Sequence, residues 1–289
     1  MIGQRPEVEA LLRKYRAQLM AQEGPAAKRL LAIVEALEKQ IMGSLARYGE
    51  NGITKAQASR VRAIANRIAL EADPAVAAWF HREGPAAALN GARMQAQYLS
   101  KFKGVRGAPY ERVQGSFDAW QQGIDSGRLF NFGDTAKFEQ LKWQWTDYWK
   151  GTAEKLQERF VEAAINGESW KDIAKASVET LDDLGLNGRM NKYAFSDAFT
   201  RTKLTEIHNN AAIGMAADAG IDTFINDGVP DDRQSEECAE ADSLGALTLP
   251  EWDASGPGRP PRHVFNCRCT LLAQPSEAWI TGSVVEMAA

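Results

Sequence analysis

Apolar residues recur every three or four positions over most of the first hundred residues, which is the period of one helix face. Segments 6–20, 26–48 and 53–73 show this pattern, and in the second of them the apolar positions are Leu30, Ile33, Val34, Leu37, Ile41 and Leu45. The pentapeptide EGPAA occurs at 23–27 and again at 83–87. Because proline suits the first turn of a helix, we interpret both copies as helix starts. The sequence therefore predicts a helical N-terminal region.

The middle of the chain alternates between an irregular segment and an aromatic helix. Residues 103–116 are rich in glycine and charge and show no apolar period, so we predict a linker or long loop there. After it, an apolar stripe at helical spacing consists of Phe138, Leu141, Trp145, Tyr148, Trp149, Leu156 and Phe160. Such a stripe is typical of a core or a helix interface, and a surface for a ligand or partner is the alternative.

Beyond residue 190 the pattern changes from helical to mixed. Residues 191–219 predict one long helix that ends at Gly220. The short segments IDTFI, ALTLPEW and CRCTLLA then predict strands, separated by turn-rich loops. We therefore predict a mainly α protein with a small α+β C-terminal domain, in which long helices precede a short antiparallel sheet with long loops.

The chain has 289 residues, and its length and charge distribution suggest several regions. We predict a basic helical N-terminal domain (1–112), a helical, Trp-rich middle region (113–190), an α+β C-terminal domain (191–275) and a tail (276–289). Residues 1–112 carry 18 Lys and Arg against 10 Asp and Glu, and the remainder carries 16 against 28. The net charges of +8 and −12 predict different partners, with nucleic acid or an acidic protein surface for the basic half. A merely solvated helical face is the alternative.

Membrane insertion and secretion are not expected. The sequence contains no run of about 18 apolar residues. The N-terminal segment is amphipathic and carries acidic residues, unlike a secretory signal. Three cysteines cannot form a complete disulfide framework, which fits synthesis in a reducing cytoplasm.

Two of the three cysteines and one of the three histidines lie in one stretch, PPRHVFNCRC (260–269), which holds His263, Cys267 and Cys269. In an extended segment residues two apart face the same side, so both sulfurs could touch one ion. With Cys238 these side chains make four ligands, the number zinc needs, although the spacing is not a standard zinc-finger pattern. Two alternatives remain open: buried structural cysteines, or a disulfide from Cys238 to one of the pair.

Catalytic motifs are weak by comparison. His263 with Cys267 could form a nucleophile pair, and Asp231 with Asp232 a pair of carboxylates, but neither pair has a third group in a recognisable motif. The sequence contains no phosphate-binding loop, GxSxG or HExxH motif. We therefore expect a structural protein and not an enzyme.

An ordered set of residues suggests a family: Arg201-Thr202, Asn209, Gly220, Asp231-Asp232-Arg233, Cys238 and PPRHVFNCRCTL (260–271). This set resembles the phage head morphogenesis family, the Mu protein F-like minor head proteins of tailed bacteriophages, over about residues 130–273. The resemblance implies a non-enzymatic head protein that associates with the portal protein and other head proteins. It implies a location in the head interior near the portal, after synthesis in the host cytoplasm. Packaged double-stranded DNA is a further expected partner, and a role in DNA retention or ejection would follow.

The sequence departs from the family pattern at three places. Lys203 replaces a glutamate, Ser235 stands where a first cysteine is usual, and His263 lies one residue further from NCRC. If the family cysteines bind zinc, His263 becomes the replacement ligand or the site is lost. A set of charge-assisted hydrogen bonds is a separate hypothesis: Arg201, Asp231 and Arg233 would join the helix end to the following loop. An enzyme of the hydrolase or transferase class and a stand-alone DNA-binding protein remain as alternatives.

Overall fold

The computed structural model describes residues 6–46, 54–102, 107–126, 135–168, 172–173, 191–228, 235–260 and 267–281. The long helices are α1 (Pro6–Ala46), α4 (Asp73–Leu99), α5 (Ala108–Asp125), α6 (Thr135–Asn166) and α7 (Lys192–Asp218). The shorter helices are α2 (Lys55–Ala58), α3 (Val61–Glu71), α8 (Glu236–Ser243), α9 (Leu249–Ala254) and α10 (Glu277–Thr281). Among these elements no helix has both the length and the apolar character needed to cross a membrane.

Three short strands form an antiparallel sheet: β1 (Thr223–Asp227), β2 (Leu247–Thr248) and β3 (Thr270–Ala273). Their order is β2-β1-β3, so β1 is the central strand. Phe224 pairs with Leu247 on one side and with Ala273 on the other. The predicted class, mainly α with a small α+β part near the C-terminus, is confirmed.

The residues group into two compact units, each assembled from distant segments. The sheet unit consists of Met1–Glu23, Glu83–Asn131 and Arg201–Ala289, and the helical unit of Gly24–Arg82 and Phe132–Thr200. Helices α1, α4 and α7 contribute residues to both units. The sequence-based boundaries at residues 112, 190 and 275 concern independent folding, which packing alone does not test, so they stay a prediction.

Aromatic residues form the core of the helical unit. The described members of the predicted stripe, Trp145, Tyr148, Trp149, Leu156 and Phe160, are all buried, which confirms the core interpretation for them. The Tyr148 ring stacks on Phe195 with centroids 3.8 Å apart. The side chains of Phe138 and Leu141 lie outside the described residues. Burial of these large rings stabilises the packing of α6 against α7.

The sheet unit is closed by tryptophans that hydrogen-bond to backbone carbonyls. Trp252 of α9 donates its indole N–H to Phe224 O at 3.0 Å, and Trp279 of α10 donates to Ala219 O at 2.9 Å. The long helix α7 ends as predicted, because Gly220 has a φ of 83° and thus the left-handed conformation that favours glycine. These contacts place the sheet against the C-terminal end of α7.

Both EGPAA segments lie inside helices, so the interpretation as helix starts is wrong. Pro25 is inside α1 and Pro85 is inside α4. An interior proline removes one backbone hydrogen bond and costs about 3 kcal/mol. Side chains on either side of each proline are nevertheless buried, including Leu19 and Leu30 around Pro25. Tertiary packing along the continuous helix outweighs the local cost.

The predicted linker at 103–116 is also wrong for the residues described. Helix α5 begins at Ala108, directly after Gly107, whose φ is 59°. Val113 and Ser116 are buried, and the Ser116 hydroxyl donates to Met215 O at 2.7 Å. Segment 103–116 contains only the first half of α5, which is too short for the apolar period of the helix to be recognised.

The predicted strand ALTLPEW is mostly helical. Strand β2 contains only Leu247 and Thr248, and α9 follows at once. The Thr248 hydroxyl accepts from Glu251 N, while the Glu251 carboxylate accepts from Thr248 N, which forms a complete capping box. The pair Thr248 and Glu251 therefore ends the strand and starts the helix.

Candidate metal centre

Cys238 is positioned by the N-terminus of α8. Ser235 is the N-cap, and its hydroxyl accepts a hydrogen bond from Cys238 N at 3.2 Å. Glu236 and Glu237 lie in the first turn, where their negative charges interact favourably with the positive end of the helix dipole. The cap fixes the first turn and holds the Cys238 side chain, which is 4% exposed, in the interior.

Cys267 and Cys269 lie in the segment that leads into β3. The strand begins at Thr270, so the prediction that both cysteines belong to the strand is wrong. Both are nevertheless 3% exposed, and Arg268 between them is only partly buried. Pairing of Thr270 in β3 with Asp227 in β1 fixes the end of this segment.

The sulfurs of Cys238, Cys267 and Cys269, here called the cysteine cluster, lie within 4.8 Å of one another. The Sγ atoms of Cys238 and Cys267 are 3.9 Å apart. Two thiolates on a tetrahedral zinc ion, each at about 2.3 Å, would be about 3.8 Å apart, whereas a disulfide needs about 2 Å. All three cysteines are free. The three cysteines are therefore close enough to hold a metal ion.

Without a cation the Cys269 thiol favours its protonated form. The hydrogen bond with Cys267, followed by burial, raises the pKa of the Cys269 thiol well above its usual range. Neighbouring thiolates repel one another in a medium of low dielectric constant. A divalent cation would reverse this preference, because thiol ligands bind as thiolates and release their protons.

Asn209 of α7 supports the cluster from the neighbouring helix. Its side-chain amide donates to the carbonyl oxygen of Cys269 at 2.8 Å, and the residue is fully buried. This hydrogen bond links the helix to the segment that carries two of the three sulfurs. It is the kind of outer-shell contact that orients metal ligands.

The remaining predicted site residues divide into described and undescribed ones. His263, Asp231 and Arg233 lie outside the described residues, so neither the fourth ligand nor the Asp231 pairing is tested. Arg201 donates from Nε to the Glu23 carboxylate at 3.2 Å. Thr202 is 1% exposed, next to Arg201 on α7.

A group of three polar residues, of which His208 is buried and Arg16 and Asp227 are partly buried, was missed by sequence reasoning. Arg16 of α1 donates to the carboxylate of Asp227 at the end of β1. Burial, and after it the charge of Arg16, lowers the pKa of His208 to about 4. Burial also raises the pKa of Asp227 to about 6, although Arg16 acts in the opposite direction. Arg16 and Asp227 are 211 positions apart, and a local sequence pattern cannot predict a contact over such a distance.

Comparison with known proteins adds no relative: no protein-family model matches the chain, and no curated protein or solved structure is similar to it. The described residues thus define a mainly α protein whose small sheet unit carries a buried cluster of three cysteines.

Proposed function

We propose that this chain is a structural protein of a tailed-phage head, associated with the portal, and that zinc bound by the cysteine cluster closes its sheet unit. The observation that carries the zinc proposal is the convergence of three buried sulfurs within 4.8 Å. Zinc suits this site because it prefers soft thiolate ligands and needs no redox change.

The metal has a structural role in this proposal. It would link α8, which carries Cys238, to the segment that carries Cys267 and Cys269, and through Asn209 to α7. His263 is the proposed fourth ligand. A zinc ion with four protein ligands has no open position for substrate, which is typical of structural and not catalytic sites.

The assignment to a phage head rests on the resemblance of the ordered residues. Support comes from the packing of two of them: Asn209 contacts Cys269, although they are 60 positions apart in sequence. Both also lie in one compact unit with Cys238 and Cys267. A family pattern that marks one folded module should bring its residues together in this way.

Two measurements on the full chain test the two parts separately. Elemental analysis of protein purified without added metal should give about one zinc per chain. Protein that holds no zinc even after refolding with zinc would overturn the metal part.

The head assignment is tested by producing the chain together with the head proteins from its own source. It should then sediment with portal-containing particles on a density gradient. If it stays at the top of the gradient as a free protein, the enzyme alternative becomes the stronger one.

Packaged double-stranded DNA is the second proposed partner, on the strength of the net charge of +8 over residues 1–112. Binding through phosphate contacts releases counterions, so affinity should fall steeply as salt rises. The test is a DNA-binding titration of the full chain at several salt concentrations. Absence of binding at low salt, or binding that salt does not weaken, would contradict this part alone.

A further inference from the structure

Two sulfurs of the cysteine cluster lie on separate segments and close to bonding distance. The Sγ atoms of Cys238 and Cys267 are 3.9 Å apart, and none of the three cysteines is in a disulfide. A disulfide bond is about 2 Å long, so the two sulfurs need to approach each other by about 2 Å. Rotation of both side chains about their Cα–Cβ bonds gives a movement of this size. A bond between them therefore requires a short movement of side chains and not a rearrangement of the sheet.

Cys269 is the member of the cluster whose backbone is held most firmly. Its carbonyl oxygen accepts from Asn209 at 2.8 Å, and the next residue, Thr270, pairs with Asp227 in the sheet. Disulfide geometry is specific and commonly requires adjustment of the backbone, which these contacts restrict at Cys269. A bridge from Cys267 to Cys269 would also have to close a small ring across one intervening residue. Cys238 and Cys267 are therefore the pair best placed for oxidation.

Oxidation of this pair by a peroxide needs no further reactant. One thiol is oxidised to a sulfenic acid as the O–O bond breaks and water leaves; the second thiol then attacks that sulfur and releases a second water. The S–S bond forms, the peroxide is reduced to water, and both thiol protons leave in that water. Cys238 and Cys267 are only 4% and 3% exposed, so the oxidant must be small. Hydrogen peroxide, which is close to water in size, meets this requirement.

The disulfide and a bound metal ion exclude each other. A cysteine binds metal as a thiolate, and sulfurs joined in a disulfide are no longer thiolates. After oxidation Cys269 would be the one thiol left in the cluster, too few for a zinc site. The disulfide would join α8 to the segment before β3, which are the elements that zinc joins in the proposed function. The metal half of this argument rests on that proposed function.

We infer that Cys238 and Cys267 form a redox pair, whose disulfide expels metal from the cysteine cluster and replaces it as the link between α8 and the segment before β3. Reduction by a thiol restores both ligands and with them the metal site. The proposed head function supplies both conditions, because a phage particle assembles in a reducing cytoplasm and is then released into an oxidising medium.

The test treats the full chain with hydrogen peroxide after a chelator has removed metal. Peptide mapping by mass spectrometry should find Cys238 joined to Cys267, and an alkylating reagent added in denaturant should label Cys269 alone. The oxidised chain should lose zinc binding, and dithiothreitol should restore it. A chain without the cross-link, a cross-link through Cys269, or a cross-linked chain that binds zinc with unchanged affinity would overturn the inference.

Zinc should protect the pair, because the cross-link forms from the metal-free chain. At a zinc concentration of about a hundred times Kd the metal-free fraction is about 1%, so cross-linking should slow about a hundredfold. Equal rates with and without bound zinc would contradict the coupling. A reduced chain that binds no zinc would overturn the metal part of the proposed function and of this inference, while its cross-link still decides the redox pair. A chain that binds zinc but forms no cross-link would keep the proposed function and overturn the redox pair.

Serine variants identify the two sulfurs independently of the mapping. Cys269→Ser should still form the cross-link, whereas Cys238→Ser and Cys267→Ser should form none. Circular dichroism spectra check that each variant folds, and the mapping of the unaltered chain does not depend on any variant. A folded Cys269→Ser protein that forms no cross-link would show that Cys269 takes part in the bond and would contradict the inference.

Discussion

The side-chain amide of Asn209 donates to the backbone carbonyl oxygen of Cys269 at 2.8 Å. The helix α7 thereby holds the segment that presents two of the three clustered sulfurs. Because the contact is buried, no water replaces the amide if it is lost. The position of the cysteine cluster therefore depends on a residue that cannot itself be a thiol ligand.

Replacing Asn209 with alanine should destabilise the sheet unit by about 1–3 kcal/mol, since the Cys269 carbonyl is left buried without its donor. Zinc affinity should fall with it, because the ligand segment loses an orienting contact. The measurements are urea unfolding and competition with a zinc chelator. Asn210→Ala is the matched control, because Asn210 is the next residue on α7 and is exposed. Equal losses in both variants would contradict the prediction.

Replacing Cys269 with serine tests the metal itself. If zinc links the cluster, this variant should lose the metal and about 3 kcal/mol or more of stability. A chelator should lower the melting temperature of the unaltered protein and have no further effect on the variant. Protein that melts at the same temperature with and without chelator would leave packing as the whole role of the cysteines. A mass measurement under oxidising conditions would separately reveal a disulfide.

The fold was predictable from the sequence where burial of one helix face decides the structure. The apolar period found α1, the aromatic part of α6 and α7, and the turn residue Gly220 marked the end of α7. The prediction of helix starts at Pro25 and Pro85 was wrong, because packing between distant residues keeps both helices continuous through the prolines. Such packing is not visible in a local sequence pattern. The first half of α5 lies inside segment 103–116, which the sequence predicts as one loop, so the apolar period of the whole helix was not recognised.

The candidate site was predictable only in part. The close spacing of Cys267 and Cys269 indicated a shared site, and Cys238 does lie with them. Ser235 was interpreted as a lost ligand, although the structure shows it as a helix cap. A serine before two glutamates is itself a helix-start signal, so this role could have been found. No comparable sequence pattern indicates the group of Arg16, His208 and Asp227, because it is formed by contacts between distant segments.

The cap at Ser235 leads to a prediction about the geometry of α8. Ser235→Ala removes the acceptor for Cys238 N and should cost about 1 kcal/mol, the usual effect of losing an N-cap. Ser235→Thr keeps a hydroxyl acceptor and should retain most of the stability. Chemical unfolding measures both, and zinc competition shows whether the frayed first turn also weakens the cluster. A Thr variant as unstable as the Ala variant would rule out the capping explanation.

His208 and Asp227 should give opposite pH dependences of stability. For His208, with a folded pKa of about 4 against an ordinary 6.5, the unfolded state takes up a proton first as pH falls. Its contribution is therefore present above pH 6.5 and is lost as pH falls towards 4. For Asp227, with a folded pKa of about 6 against 3.8, the folded state holds its proton longer, so stability falls as pH rises through this range.

Single variants should reveal these two opposed effects. Asp227→Asn should make the free energy of unfolding rise more steeply with pH between about 4 and 6.5, while His208→Gln should make it fall more steeply than in the unaltered protein. Arg16 acts on both groups and Asp242 acts on Asp227, and neither residue is changed in these variants, so the curves are compared against the same charged neighbours. Urea unfolding at several pH values measures them. Parallel curves for all three proteins would contradict the assignment.

The ion pair between Arg201 and Glu23 should stabilise the sheet unit, because both side chains are largely buried, 16% and 9% exposed. Removing one partner leaves the other charge poorly solvated, so Arg201→Ala should lower the free energy of unfolding by about 2 kcal/mol. Arg13→Ala is the control, since its pair with Glu9 is exposed and should contribute no more than about 0.5 kcal/mol. A double-mutant cycle with Glu23→Gln isolates the coupling between the two side chains. A coupling near zero would mean that Arg201 acts through other contacts, and the pairing with Asp231 would then be the next one to test.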